Sequence, residues 1–258
     1  MSEEMGCETM RKTKPFEKEA DLCAAFLGRV PSDQGWTAYP ETAGWDILLT
    51  HADGWQIGIE AKLRMNLKVL SQALDYPWHD AGPDFRVLLL PASASQYREL
   101  ADALGLGVIT VAVGARGQVR LEPDLFGTPQ WLLCRNWFYW NPTKRHTLPE
   151  YVPDVAAGVP SPVTLTEWKI RALKISAIIE LRGYVDRDDF SRMQVDRRRW
   201  VTLWLAPVEN RPGAWKWREG CAERFAAQHP DVYPRILADM AEYVDSTPRS
   251  GVQTRLAV

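Results

Sequence analysis

Asp46, Glu60 and Lys62 stand in the pattern D-x(13)-E-x-K, within the stretch GWDILLTHADGWQIGIEAKL. Two carboxylates are hard oxygen donors of the kind that hold Mg²⁺, and a neighbouring ammonium can orient a water or stabilise developing negative charge. Such a trio suits phosphodiester hydrolysis, because the ion polarises the phosphate and lowers the pKa of a bound water. The spacing carries that meaning only if the three side chains meet. Whether they do depends on the elements that hold them.

Trp45 to His51 and Trp55 to Leu63 read as two strands separated by Ala52-Asp53-Gly54, which makes a hairpin. Successive side chains of a strand alternate, so Trp55, Ile57, Ile59, Ala61 and Leu63 face one way and Gln56, Gly58, Glu60 and Lys62 the other. With Gly54 supplying a left-handed conformation in the loop, His51 faces Trp55 and Asp46 falls opposite Glu60. Both carboxylates and the amine then converge. Gly58, on the same face, leaves room for a bulky phosphate backbone to approach, with a simple bend as the alternative. Glu41, just before the Asp46 strand, reads as a loop carboxylate facing water, with membership of the metal shell as the alternative. His51 and His79 read as a turn residue and a loop residue, not as catalytic bases.

Around the hairpin, Phe16, Ala20, Cys23 and Leu27 recur at helical spacing after Pro15, with Glu19 bordering that apolar face. Trp36 to Tyr39 is a short strand. Asn66 can cap a helix to Tyr76 that carries Leu67, Leu70 and Leu74 on one side. Arg86 to Leu90 predicts a buried strand, Ala94 to Leu104 a helix, and Val108 to Val113 a further buried strand. Strands and helices alternate, so the class is α/β.

These residues, in this order of elements, resemble the PD-(D/E)XK nuclease superfamily, whose motif is an acidic residue on one strand and [DE]-x-K on the next. The proline that often precedes the first acidic residue is absent, and Trp45 stands there. The resemblance implies a restriction-endonuclease-like mixed sheet flanked by helices. It also implies that Asp46, Glu60 and the backbone carbonyl of Ala61 hold Mg²⁺, with Mn²⁺ able to substitute, and that Lys62 positions the water. Members often add a Glu from the first helix and a Gln from the helix after the motif, and Glu19 and Gln72 sit where those belong. The stretch EAKLRMNLKVLSQALDY, followed by RVLLLP and GLGVITV, looks like bacterial and phage members that accompany DNA repair or defence. DNA is the implied substrate, with RNA as the alternative. Many nucleases of this fold cut duplexes as homodimers, although nothing in the sequence marks a dimer surface. A member of the fold that binds nucleic acid without cutting it is the competing reading.

Bulk composition narrows the field further. A formal net charge of −2 means that any nucleic-acid contact must come from a local basic surface together with a metal ion. Cys7, Cys23, Cys134 and Cys221 show neither a C-x-x-C pair nor the histidines of a zinc site. There is no phosphate-binding loop of an ATP-driven motor, no apolar run of membrane-spanning length, and no apolar core of a signal peptide in the polar start. A cytoplasmic protein with reduced thiols and no membrane partner is expected.

Domain organisation reads as a flexible 1–14, a nuclease-like domain over 15–140, a Pro-rich linker over 141–163, a second domain over 164–245 and a flexible tail over 246–258. In the second domain Thr164-Leu165-Thr166-Glu167 reads as a capping box, followed by one long helix up to Gly183. Asp186 can cap a short helix through Met193, and Asp196 a third starting at Arg197. Pro207 to Trp217 has the composition of a β wing, and one or two helices follow over 221–245. This layout, mostly α, resembles a winged helix-turn-helix. Between Thr164 and Gly220 there are 12 Lys and Arg against 8 Asp and Glu. Arg197, Arg198 and Arg199 are thus candidates for nucleic-acid contact at the start of a recognition helix. Pairing with Asp188 and Asp189 is the alternative use of those arginines, and Trp200 and Trp204 read as core. A protein partner recruited through this domain is the third functional reading.

Overall fold

The apolar runs of the first half come together as one six-stranded mixed sheet in a computed structural model that describes residues 16–65, 70, 73–74, 81–127, 137–159, 165–221 and 226–247. Its strands are β1 (Trp36–Thr42), β2 (Trp45–His51), β3 (Gln56–Ala61), β4 (Phe85–Pro91), β5 (Gly107–Val113) and β6 (Val119–Glu122), lying in chain order across the sheet. An antiparallel meander of β1, β2 and β3 is followed by β4 and β5 parallel to β3, and β6 returns antiparallel.

Every residue of β4 is buried, because both faces of the sheet are covered there. On one face Leu22, Cys23 and Phe26 of α1 (Glu19–Leu27) pack on Ile47, Leu49, Ile57, Ile59, Val87 and Leu89. On the other, Leu88, Leu90 and Val108 meet Met65, Leu70, Ala73 and Ala101, the last from α2 (Arg98–Ala103). Each such Leu, Ile, Val, Phe or Met side chain contributes about 1.5–3 kcal/mol on burial. A one-residue slip of β3 would exchange Ile57, Ile59 and Ala61 for Gly58, Glu60 and Lys62 against α1, so the core fixes the register that the polar residues need.

Several expected elements are adjusted. The helix expected over Ala94–Leu104 opens as a 3₁₀ segment, Ala92–Tyr97, before α2. Strand β6 has no counterpart among the expected elements. Of the helix expected over Asn66–Tyr76, Leu70, Ala73 and Leu74 are described and helical; Gln72 and His79 lie outside the described residues.

The chain divides into two compact units, Met1–Leu148 with Val155–Thr164, and Pro149–Asp154 with Leu165–Val258. The described part of the Pro-rich segment expected as a linker is therefore not a free connector. Within the first unit Arg145 donates two hydrogen bonds to the Asp84 carboxylate, and the Gln56 amide bonds both the N–H and the carbonyl of His146. Within the second, the Tyr151 hydroxyl donates to Asp239 at 2.6 Å, and the buried Asp154 carboxylate meets His229 Nδ1 at 2.7 Å. Specific anchors of this kind override the composition of a segment, which only says that it can be extended.

In the second unit α3 (Glu167–Arg182) ends at Gly183 in the left-handed conformation, as expected. Its N-cap is Thr166, whose side chain accepts from the Lys169 N–H; Thr164 lies outside the described residues. β7 (Val185–Asp186), α4 (Arg187–Arg192), α5 (Arg197–Leu203), β8 (Leu205–Pro207), β9 (Ala214–Trp217) and α6 (Tyr233–Ser246) follow. Asp186 caps α4 in a capping box and Asp196 caps α5. The three strands form a small sheet in the order β7-β9-β8. Trp200 is fully buried in the core with Phe190 and Ile236, and Trp204 packs edge-on against it. Among the described residues no helix is long and apolar enough to cross a membrane.

Candidate active site

Hairpin geometry sets the site. Gly54 takes φ +91°, the Gly54 N–H donates to the His51 carbonyl at 2.8 Å, and the His51 N–H donates to the Trp55 carbonyl at 2.9 Å. Ile47 then pairs with Ile59, and one further step of that register sets Asp46 opposite Glu60. Lys62 lies just past β3, held in line by its N–H donating to the Leu89 carbonyl at 3.0 Å.

The Lys62 ammonium is the centre of the cluster. Its Nζ lies 3.0 Å from Glu60 Oε1, 3.3 Å from Glu19 Oε2 and 3.6 Å from Asp46 Oδ2. Asp46 Oδ2 also accepts the Ala61 N–H at 2.7 Å, which ties the β2 carboxylate to β3. Glu19 arrives from the first turn of α1. Asp46, Glu60, Lys62 and Glu19 are thus brought together, and Gln72 is outside the described residues.

Electrostatics follow from burial and crowding. Burial first, then the Asp46 charge, raises the Glu60 carboxyl above the usual glutamate range despite the opposing Lys62. Burial works against the Lys62 charge, but Asp46, Glu60 and Glu19 outweigh it and hold the ammonium above the ordinary lysine range. Beneath them, burial and then Asp46, Glu41 and Glu19 push the Cys23 thiol up to about 12. A thiol held protonated is a packing group, not a nucleophile.

Two expectations near the site are corrected. The space over Gly58 is filled: a β-carbon there would stand 2.3 Å from Cε2 of Trp45, so the glycine accommodates an indole and not a phosphate backbone. Glu41 lies in β1 and does not sit in a water-facing loop. It takes a left-handed φ of +46° and accepts the Gly158 N–H at 2.8 Å. Burial raises its carboxyl, with the Gly158 and Val159 N–H groups pulling the other way. Nothing local in the sequence links Glu41 to Gly158. His51, expected as a turn residue, is the last residue of β2, its ring bonded to the Asp53 N–H and the Gln34 carbonyl.

In the second unit Arg198 and Arg199 are exposed and Arg197 is half-buried. Arg197 lies over the Trp215 ring at 5.2 Å and Arg199 over Trp204 at 5.9 Å. Asp189 is not their partner: it is buried and bonded to Arg182, the Tyr243 hydroxyl and the Asp186 N–H. Two arginines that the sequence did not single out lie in the same unit. Arg211 lies over Tyr184 at 3.9 Å, and a β-carbon on Gly213 would meet Arg187 Nε at 3.7 Å.

Neither family models, nor curated proteins, nor solved structures give a match to this chain.

Asp46 and Glu60 fit a Mg²⁺-type ion by donor chemistry, since such an ion is commonly held by one or two carboxylates, with waters and substrate phosphate completing its shell. The three carboxylate oxygens around the Lys62 ammonium likewise mark a place that accommodates positive charge. Among the described residues there is no group of three or more His, Cys, Asp or Glu arranged to hold a metal. A site completed by substrate requires only the two.

Proposed function

We propose that this chain is a Mg²⁺-dependent nuclease that hydrolyses DNA phosphodiester bonds, with Mn²⁺ as a substitute, in repair, recombination or phage defence. The observation that carries the reading is the convergence of Asp46, Glu60 and Lys62 at one end of the β2–β3 hairpin. A helix, an antiparallel meander and then parallel β4 and β5 support a restriction-endonuclease-like first unit. In the second unit the order helix, strand, helix, helix and β8–β9 hairpin supports a winged-helix-like module, with Arg197, Arg198 and Arg199 toward DNA phosphates.

On this reading Asp46, Glu60 and the Ala61 carbonyl hold the ion, which supplies Lewis-acid stabilisation of the phosphate. Lys62 is protonated at neutral pH, so it cannot accept a proton from water. Its work is to donate: it orients a water through the oxygen lone pair and offsets charge on the phosphate. Trp45, packed on Gly58, shields the strand next to the site from solvent.

A second reading is a non-catalytic nucleic-acid binder or regulator on the same fold, in which the Lys62 ammonium, in contact with both the Asp46 and Glu60 carboxylates, stays where the ion would sit. Supercoiled plasmid and single-stranded DNA, incubated with the full chain in Mg²⁺, Mn²⁺ or Ca²⁺, separate the two. Cleavage in Mg²⁺ and Mn²⁺ but not Ca²⁺ is expected; DNA retention with no cleavage in any ion would transfer the assignment to the second reading.

A further inference from the structure

Resting on the metal-site reading above, we infer that a divalent cation enters by exchange with the Lys62 ammonium, and that Glu19 is the positioning residue which keeps Lys62 once Asp46 and Glu60 are taken. Lys62 Nζ contacts oxygens of both carboxylates expected to bind the ion, at 3.0 Å on Glu60 and 3.6 Å on Asp46. A dication sharing those oxygens would stand within a few ångströms of an ammonium in a partly desolvated site, where like charges repel strongly. Lys62 must therefore give them up. The carboxylate left to it is Glu19, at 3.3 Å.

Glu19 is suited to that task by where it sits. Its side chain is 34% exposed, against 16% for Asp46 and 12% for Glu60, and it belongs to α1 and not to the hairpin. The α1 turn that carries it is closely packed: a β-carbon on Gly158 would fall 3.1 Å from the Glu19 carbonyl carbon and 3.0 Å from Cys23 Sγ. Lys62 can thus move outward onto a fixed anion without leaving the site. Once the ion is bound, Glu19 is the chief neutraliser of Lys62. Before that, three carboxylates share the work. Glu19 consequently favours the loaded state.

Titration calorimetry of the whole chain with MnCl₂ tests this without recourse to turnover. Lys62→Gln and Lys62→Met should bind Mn²⁺ at least about tenfold more tightly than wild type, a difference of about 1.4 kcal/mol. Both variants should also melt at a lower temperature without metal and gain more on adding Mn²⁺, since three carboxylates lose their shared cation. Glu19→Gln should weaken Mn²⁺ binding in the wild-type background and leave it unchanged in the Lys62→Gln background, because its effect runs through Lys62. An unchanged affinity in both Lys62 variants overturns the exchange, and equal weakening by Glu19→Gln in both backgrounds overturns the positioning role by making Glu19 a ligand. Absence of saturable, Asp46-dependent Mn²⁺ binding in every variant would instead remove the metal site, and the proposed function with it.

Discussion

The two charged regions of the molecule handle their charges in opposite ways. In the first unit Glu19, Asp46 and Glu60 surround Lys62 and neutralise it at 3.0–3.6 Å in a half-buried setting. In the second, Arg197 and Arg199 rest on tryptophan rings, Arg198 reaches solvent, and the buried acid close by, Asp189, is committed to Arg182. Half-buried groups keep their relative positions under salt, whereas exposed charges act over a Debye length of about 8 Å. The first arrangement suits chemistry at fixed atoms. The second suits reversible contact with a polyanion.

Removing the fixed charges should have the largest effect. Asp46→Ala, Glu60→Gln and Lys62→Ala are each expected to reduce plasmid cleavage by about 10²–10³-fold or more, the scale set by losing a preorganised electrostatic group. Circular dichroism should be unchanged, since these side chains lie off the apolar face that packs on α1. Activity retained in two of the three would break the assignment.

Next comes the exposed region. Replacing Arg197, Arg198 and Arg199 together by Ala should weaken DNA binding and flatten its salt dependence, by about 0.9 in the log–log slope for each phosphate that is no longer neutralised. Cleavage at saturating substrate should persist. Binding measured in Ca²⁺ across a salt series checks this, and an unchanged affinity and slope would favour a protein partner for the second unit.

Glu19→Gln should lower cleavage without eliminating it, because Asp46 and Glu60 remain; a wild-type rate would remove Glu19 from the machinery. The smallest effect concerns stability. A carboxyl whose folded pKa lies above its unfolded value contributes stability while protonated, and that contribution is lost as pH rises through the folded pKa. Glu60 is such a group. Glu60→Gln should therefore raise the urea midpoint of the metal-free protein near neutral pH and flatten its decline from pH 4.5 upward. A lowered midpoint would show that the Lys62 pairing outweighs burial.

What the sequence made legible was whatever repeats locally. Strand alternation and a Gly-terminated loop were enough to bring Asp46 opposite Glu60, because the observed register Ile47 to Ile59 follows from loop length alone. Caps at Asp186 and Asp196 were legible for the same reason, each bonding a backbone N–H within three residues. The N-cap of α3 was harder: Thr164 and Thr166 are both competent caps, and the observed cap is Thr166. Trp45 over Gly58 and the Glu41–Gly158 bond, which spans 117 residues, come from tertiary packing that no local pattern encodes. The arginines of the second surface were half legible. A run of three stands out, whereas the placement of Arg197 over Trp215 and of Arg211 over Tyr184 comes only from tertiary packing.

Crystals of the whole chain soaked in MnCl₂ and measured at the manganese edge test the central claim most directly. An anomalous peak about 2.1 Å from one oxygen each of Asp46 and Glu60 is expected, with Lys62 Nζ withdrawn toward Glu19. A fully soaked crystal with no peak there, and with Lys62 still bound to both carboxylates, would contradict it.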